Sequence, residues 1–465
     1  MAIEIGKKLG IEEVAQVAAL GAEVAVPPDV EHKIESGHGL YMEALRRGEQ
    51  IYGVTTGLGD LVKVKTTPRG YLILLEHAVG VGELAPREWV RAAILVRAHQ
   101  LALGYSGVRT RVVRALVDLL NKHITPAVPK YGSVGASGDL AQLSSIALVL
   151  IGEGYVVDGD AVVEAKEVLR RKGVEPLDLD PREALALING TSFSTAVLAM
   201  AVWRTEKLLE RYLEALPLFL QAVGANWKAL ARETQVKRHP GMKKVAEALG
   251  CPRDGKRLND PYSIRCIPQI LGAVYDSLLW ARKIVEDEIN SPSDNPIFTP
   301  SGPMPTCHFH GQYVAIAADV LAIALATWAN LVERQTAQLL RGEITGKPDF
   351  LAAEPGSVGD MIYQYSAASI AAKIRALASP HSIHNIPTSG LQEDVNSMSL
   401  NAAVRLHDML DLLRHLLSIH LVVSLDVANC TDCPPKTAEL YQKLKSLTHG
   451  KLPSERIAAA GKIWY

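Results

Sequence analysis

Apolar residues recur at three- and four-residue intervals over residues 203–221, at Leu209, Tyr212, Leu213, Leu216 and Leu220, the period of a helix with one apolar face. Pro217 lies inside this pattern and predicts a kink. The same period runs through residues 269–288, 312–340, 358–377 and 400–427, and long helices of this kind predict a bundle. The first half reads differently. Short helical patterns alternate there with glycine-rich loops, and residues 154–165 carry the β-branched, glycine-separated pattern of a small hairpin. Residues 300–305 and 342–355 are punctuated connections. The predicted fold class is mainly α, with an N-terminal domain over residues 1–189 and a helical-bundle domain over residues 190–465. No fixed-period repeat or low-complexity tract changes that picture.

The longest apolar stretch, residues 313–332, has the length of a membrane span. It is broken by Asp319 and Asn330, ends at Glu333-Arg334, and is rich in small residues such as Ala315, Ala318 and Ala322, so a helix buried among its neighbours is expected. Residues 1–10 hold charges but no apolar core of signal-peptide length, and a cytoplasmic location is expected. A formal net charge of -1 without a long charge run argues against nucleic acid or a membrane surface as partner. Arg109-Thr110-Arg111 and Arg170-Arg171-Lys172 read as solvated helix faces. Five cysteines, an odd number, fit a reducing compartment better than a disulfide framework. Cys430-Thr431-Asp432-Cys433 has redox or half-zinc spacing with no second pair, and His308-Phe309-His310 and His381-Ser382-Ile383-His384 lack further ligands, so no metal is expected.

The segment Gly132-Ser133-Val134-Gly135-Ala136-Ser137-Gly138-Asp139-Leu140 changes the picture most. Attack of the Gly138 amide nitrogen on the Ala136 carbonyl carbon closes a five-membered ring, and loss of water from that step and from Ser137 leaves an exocyclic methylidene. Each residue type has a reason: glycine offers an unhindered nitrogen, alanine an uncrowded carbonyl, and serine the hydroxyl that leaves. Neighbouring glycines permit the compressed backbone that closure requires. The plain alternative is a glycine turn in which Ser137 or Asp139 caps a helix over residues 140–151. A phosphate-binding loop is the weaker alternative, since no Gly-Lys-Ser/Thr ending follows residues 132–138.

Further blocks follow in a recognisable order. They are Tyr52-Gly53-Val54-Thr55-Thr56-Gly57-Leu58-Gly59, His77-Ala78-Val79-Gly80-Val81-Gly82-Glu83, Asn189-Gly190-Thr191, Asp260-Pro261-Tyr262-Ser263-Ile264-Arg265-Cys266, Ser293-Asp294-Asn295-Pro296, Phe309-His310 and Gln392-Glu393-Asp394. Together they resemble the ammonia-lyase and aminomutase family that builds a 4-methylideneimidazole-5-one (MIO) group from its own backbone, the histidine ammonia-lyases most closely. The resemblance runs from about residue 11 to about residue 425. It implies an N-terminal MIO-bearing domain, a long central helical bundle, and a homotetramer whose active sites draw on three subunits.

It also implies roles. Ala136, Ser137 and Gly138 would form the MIO, and Asn189 would hydrogen-bond near its carbonyl. Tyr52 would be the general base, with a pKa lowered by surrounding donors or charge. Tyr262 would stand beside the prosthetic group, Arg265 would bind the substrate carboxylate with its planar fork, and Phe309 would pack against the substrate. His77 and Glu393 match residues that contact imidazole, which favours L-histidine as the amino acid substrate. Departures point the other way: Thr55, His308 and Leu391 stand where asparagine is usual, Glu76 occupies a ring-selecting position, and Val395-Asn396-Ser397 looks more like the phenylalanine and tyrosine enzymes. A phenylalanine or tyrosine ammonia-lyase or an aromatic β-aminomutase is therefore the alternative, and a catalytically silent helical scaffold the remote one.

Overall fold

The computed structural model describes residues 2–67, 69–250, 254–431 and 433–464. Among these, eighteen α-helices stand against nine strands of two to four residues, so the mainly α fold is the one that forms. The long periodic stretches become helices Ser192–Ala222, Ile267–Ile289, Gln312–Leu339, Met361–Leu377 and Ser399–Val427. The first continues through Pro217. The expected hairpin pairs Tyr155–Asp158 with Ala161–Glu164, antiparallel from Tyr155↔Glu164 to Asp158↔Ala161. In the apolar helix Gln312–Leu339 the most hydrophobic window is 72% buried, as expected of a core helix.

Two compact units divide the chain, and both are discontinuous. One comprises Met1–Trp203, Arg282–Ala318 and Pro380–Val404; the other Arg204–Ala281, Asp319–Ser379 and Arg405–Tyr465. This division does not coincide with a single boundary after residue 189. Four of its cuts fall inside the long helices Ser192–Ala222, Ile267–Ile289, Gln312–Leu339 and Ser399–Val427, where no linker composition marks them.

In the first unit, helix Arg87–Ala102 is buried from Trp89 onward and packs on Ile11–Leu20, Pro28–Arg46 and Thr110–Asn121. Burying charge is costly unless it is hydrogen-bonded, and two of its buried side chains are held by backbone groups. Arg91 donates to the Val17 carbonyl at 3.0 and 3.2 Å and to the Leu120 carbonyl at 3.1 Å. Burial pushes the His99 pKa down to about 4, which keeps Nδ1 an acceptor for the Gly6 N–H at 3.1 Å.

Three mutually packed helices position the site: Gly70–His77, Leu140–Leu150 and Pro181–Ile188. His77 ends the first, the glycine-rich segment leads into the second, and Asn189 follows the third. The third begins with Pro181 behind a capping box, in which the Glu183 N–H donates to Asp180 Oδ1 at 2.9 Å and the Asp180 N–H to Glu183 Oε2 at 3.2 Å. Arg109, expected on a solvated face, instead ion-pairs with buried Glu183.

Tyr41, Ala44, Ile51, Val54 and Phe298 form a core cluster beneath the loop that carries Tyr52. The Tyr41 and Phe298 rings meet edge-on with centroids 5.2 Å apart, and the Arg182 guanidinium lies 5.5 Å from the Phe298 centroid. Phe298→Ala is expected to cost about 3–5 kcal/mol, read as a lowered urea midpoint. A midpoint equal to wild type would mean that this ring does not hold the cluster.

In the second unit, Tyr212, Trp328, Phe219 and His420 pack at centroid distances of 5.1 to 6.1 Å. The Trp464 indole N–H donates to Ser418 Oγ at 3.0 Å. Cys430 and Cys433, the pair with redox or half-zinc spacing in a chain whose cysteines read as fitting a reducing compartment, are joined by a disulfide. The turn after helix Ser399–Val427 brings their Cα atoms to 5.2 Å, within disulfide reach. Cys266 and Cys307 are free.

Candidate active site

The glycine-rich segment is held along its backbone. Gly135 O accepts from Ser397 Oγ at 2.8 Å and from the Gly311 N–H at 3.1 Å. Ser137 O accepts from Asn189 Nδ2 at 3.0 Å, Gly138 O from Ser133 Oγ at 3.1 Å, and the Asp139 N–H donates to Gly190 O at 2.8 Å. Gly138 has φ +81°, and a Cβ there would stand 2.2 Å from Gly190 O, so both conformation and space require glycine. Ser137 Oγ donates to Glu393 Oε1.

The plain reading of Asp139 as a helix cap is corrected. It sits at the N-cap of Leu140–Leu150 without a capping bond, and its carboxylate instead accepts from the Ser194 N–H at 2.7 Å and Ser194 Oγ at 2.9 Å. Burial pushes its pKa up to about 6, against the opposing pull of those donors and of Ser133.

Tyr52 lies in a loop with a defined conformation. Its hydroxyl oxygen accepts the Gly59 N–H at 2.8 Å, and Gly53, at φ +69°, lies where a Cβ would meet the Leu185 side chain at 2.6 Å. Thr55 turns its hydroxyl back onto residue 51, accepting from the Ile51 N–H at 2.9 Å. A lowered phenol pKa was expected for Tyr52. Burial instead raises it, the Gly59 N–H opposes that only in part, and the Glu393 carboxylate raises it further. Within this chain a single donor does not offset the desolvation.

Two cavities meet at Ser137. One of about 550 Å³ is lined by Tyr52, Arg69, Glu76, His77, Asn189 and Glu393, and the other, of about 410 Å³, by Tyr52, Ala136, Phe309, His310 and Glu393. Tyr52, Gly59, Ser137 and Glu393 border both. His77 Nδ1 lies 2.6 Å from the Ile73 carbonyl, which can only accept. Nδ1 is therefore the donor, and in the neutral ring Nε2 remains an acceptor. Glu393 Oε2 accepts from Thr388 Oγ1 at 2.7 Å.

The structure thus brings Tyr52, His77, Ala136, Ser137, Asn189, Phe309 and Glu393 to one place, with Gly138 behind them. Tyr262 and Arg265 lie on the short helix Tyr262–Arg265 of the other unit. Tyr262 is 70% exposed, and the Arg265 guanidinium stacks over its ring at 5.2 Å. Residues without an earlier role are Ser133, Thr388 and Arg97. For Arg97 the signal was a charge inside the apolar run Ile94-Leu95-Val96-Arg97-Ala98.

Residues 9–446 match the family model described as aromatic amino acid lyase. A histidine ammonia-lyase of Gloeobacter violaceus is 39% identical over 98% of this chain and 90% of its own length. A probable histidine ammonia-lyase of Thermoplasma acidophilum is 34% identical over 99% of this chain and 98% of its own. Among solved structures, a tyrosine aminomutase from Streptomyces globisporus superposes with a TM-score of 0.94 at 29% identity, covering 100% of this chain and 97% of its own.

Proposed function

The chain belongs to the aromatic amino acid lyase family and is an ammonia-lyase, a carbon–nitrogen lyase; from that premise we propose that it eliminates ammonia from L-histidine to give trans-urocanate, using an MIO group formed from Ala136, Ser137 and Gly138. The observation that carries the histidine reading is the Glu393 carboxylate, which accepts from Ser137 Oγ on one oxygen and from Thr388 Oγ1 on the other. Cyclisation removes the Ser137 hydroxyl as water, so Glu393 Oε1 loses that partner while still lining the cavities. A carboxylate in such a place needs a donor. An imidazole N–H is one, and a phenyl ring offers none. His77 Nε2 is a second acceptor in the same cavity.

The residues suit the prosthetic group. Gly138 has the only side chain its space admits, and Asn189 Nδ2 reaches the Ser137 carbonyl, the oxygen on which negative charge would develop. Once formed, the group supplies an electrophile that accepts electrons from the substrate. The chain's own residues do the rest. Asn189 holds the carbonyl, Tyr52 removes the β-proton, Phe309 packs against the substrate, and His77 and Glu393 hold the imidazole. Arg265 and Tyr262 would serve an active site of a cytoplasmic homotetramer that draws on neighbouring subunits, Arg265 gripping the substrate carboxylate.

The likeness to a tyrosine aminomutase favours a second reading on the same residues, with phenylalanine or tyrosine as substrate or with ammonia returned to the β-carbon. Separate incubation with L-histidine, L-phenylalanine and L-tyrosine, with product identification, distinguishes these. L-Histidine is expected to be preferred, because each polar group stranded by a phenyl ring costs about 1–3 kcal/mol, or roughly five- to a hundredfold in kcat/KM. Glu393→Gln is expected to lower kcat/KM for histidine and narrow the gap to phenylalanine. Faster turnover of phenylalanine or tyrosine by the wild type, or a β-amino acid as main product, would overturn the assignment.

A further inference from the structure

We propose that Arg97 is a positioning residue for maturation of the Ala136-Ser137-Gly138 segment, bracing Asn189 and Gly190 so that they press on the Ser137 carbonyl and on Gly138. The proposal rests on the reading that this segment cyclises.

Arg97 lies in helix Arg87–Ala102 and is 1% exposed. Its Nη2 donates to the carbonyls of Ala186 and Asn189, the latter at 3.1 Å, and its Nη1 to Ser293 Oγ at 3.0 Å. Ser293 Oγ donates onward to Gln100 Oε1 at 2.7 Å. The guanidinium therefore grips the end of helix Pro181–Ile188 and the residue after it.

Gly190 is pinned between two layers. A Cβ on Gly190 would stand 2.3 Å from Arg97 Nη1 and 2.4 Å from Ser293 Oγ, and a Cβ on Gly138 would stand 2.2 Å from Gly190 O. The order is Arg97 with Ser293, then Gly190, then Gly138, and neither glycine has room to shift toward the other layer. Asn189 couples the same brace to the ring atoms by a second route, since Arg97 holds its carbonyl while its side-chain amide donates to Ser137 O at 3.0 Å. Burial lowers the Arg97 pKa to about 10, with Asp294 and Asp139 pulling it back up, so the guanidinium stays charged at neutral pH.

Ring closure needs this restraint. The Gly138 nitrogen bonds to the Ala136 carbonyl carbon, whose oxygen departs as water with the amide hydrogens of Gly138 and Ser137. Ser137 then loses its hydroxyl and its α-hydrogen as a second water. No oxidant enters. The nucleophile is a weak amide nitrogen, so rate depends on holding the two ends together, and a misplacement of about 1 Å costs on the order of a hundredfold.

The buried Arg91 provides a matched control, because its partners Val17 and Leu120 lie away from Asn189 and Gly190. Wild type, Arg97→Lys, Arg91→Lys and Ser293→Ala are made by cell-free synthesis, and intact mass is followed with time beside thermal melting. Wild type and Arg91→Lys are expected to lose two waters at similar rates, Arg91→Lys despite a lower Tm. Arg97→Lys is expected to lose them about a hundredfold more slowly, and Ser293→Ala to fall between. A folded Arg97→Lys that matures at the wild-type rate overturns the proposal. Should Arg97→Lys not fold, a wild-type maturation rate in Ser293→Ala overturns it instead. A wild-type chain that keeps its full encoded mass defeats the cyclisation reading and not the brace alone.

Discussion

Ser137→Ala is expected to abolish loss of the two waters and to lower kcat by at least about a thousandfold, equivalent to roughly 4 kcal/mol of barrier. The change is small in every other respect. It removes one hydroxyl, whose contact is with Glu393 Oε1, and leaves the backbone anchors at Gly135, Ser137 O, Gly138 O and Asp139 in place. Folding should therefore survive, with a Tm near wild type. Loss of the Glu393 contact is a separate effect, and Glu393→Gln serves as its comparison, because an amide oxygen still accepts from Ser137 and only the carboxylate charge is removed. Glu393→Gln should keep the two-water loss and lose far less turnover. Ser137→Ala retaining turnover within tenfold of wild type would remove the prosthetic group from the reaction while leaving the fold assignment untouched.

The parts of this site legible in the sequence are those whose chemistry is local. Ala136, Ser137 and Gly138 read as a ring-forming segment because the three groups are consecutive, and His77 and Asn189 stand in short sequence blocks recognisable on their own. Arg97 could not be placed that way. Its partner Ser293 is 196 residues distant, and the Ser397 hydroxyl that holds Gly135 is 262 residues distant, so no pattern along the chain links them. Burial was the other missing quantity. A tyrosine beside glycines reads as an accessible loop residue, whereas Tyr52 is desolvated enough to raise its pKa. The unit boundaries were hidden for a different reason, because cuts within continuous helices leave no change in composition to find.

Tyr52→Phe is expected to lower kcat by about a hundred- to ten-thousandfold, the usual contribution of a positioned proton acceptor, with KM changed little. A phenol accepts the β-proton only as phenolate. Burial raises its pKa above the ordinary value for tyrosine, so the ionised fraction at neutral pH is small and grows about tenfold for each pH unit below that pKa. Wild-type kcat/KM should accordingly rise from pH 7 to pH 9. The Phe variant has no phenol to ionise, so the ratio of wild-type to variant activity should climb over the same range, with titration of the substrate amine cancelling in that ratio. One structural effect must be separated from the chemical one. The ring hydroxyl also accepts the Gly59 N–H, and its removal leaves that donor without this partner at a cost of about 1–3 kcal/mol in the loop. That loss would lower Tm or raise KM but is independent of pH, whereas loss of a base appears in kcat and in the slope. A Tyr52→Phe enzyme that turns over at the wild-type rate, or a wild-type to variant ratio that stays flat from pH 7 to pH 9, would exclude Tyr52 as the base and leave proton removal to another group bordering the two cavities.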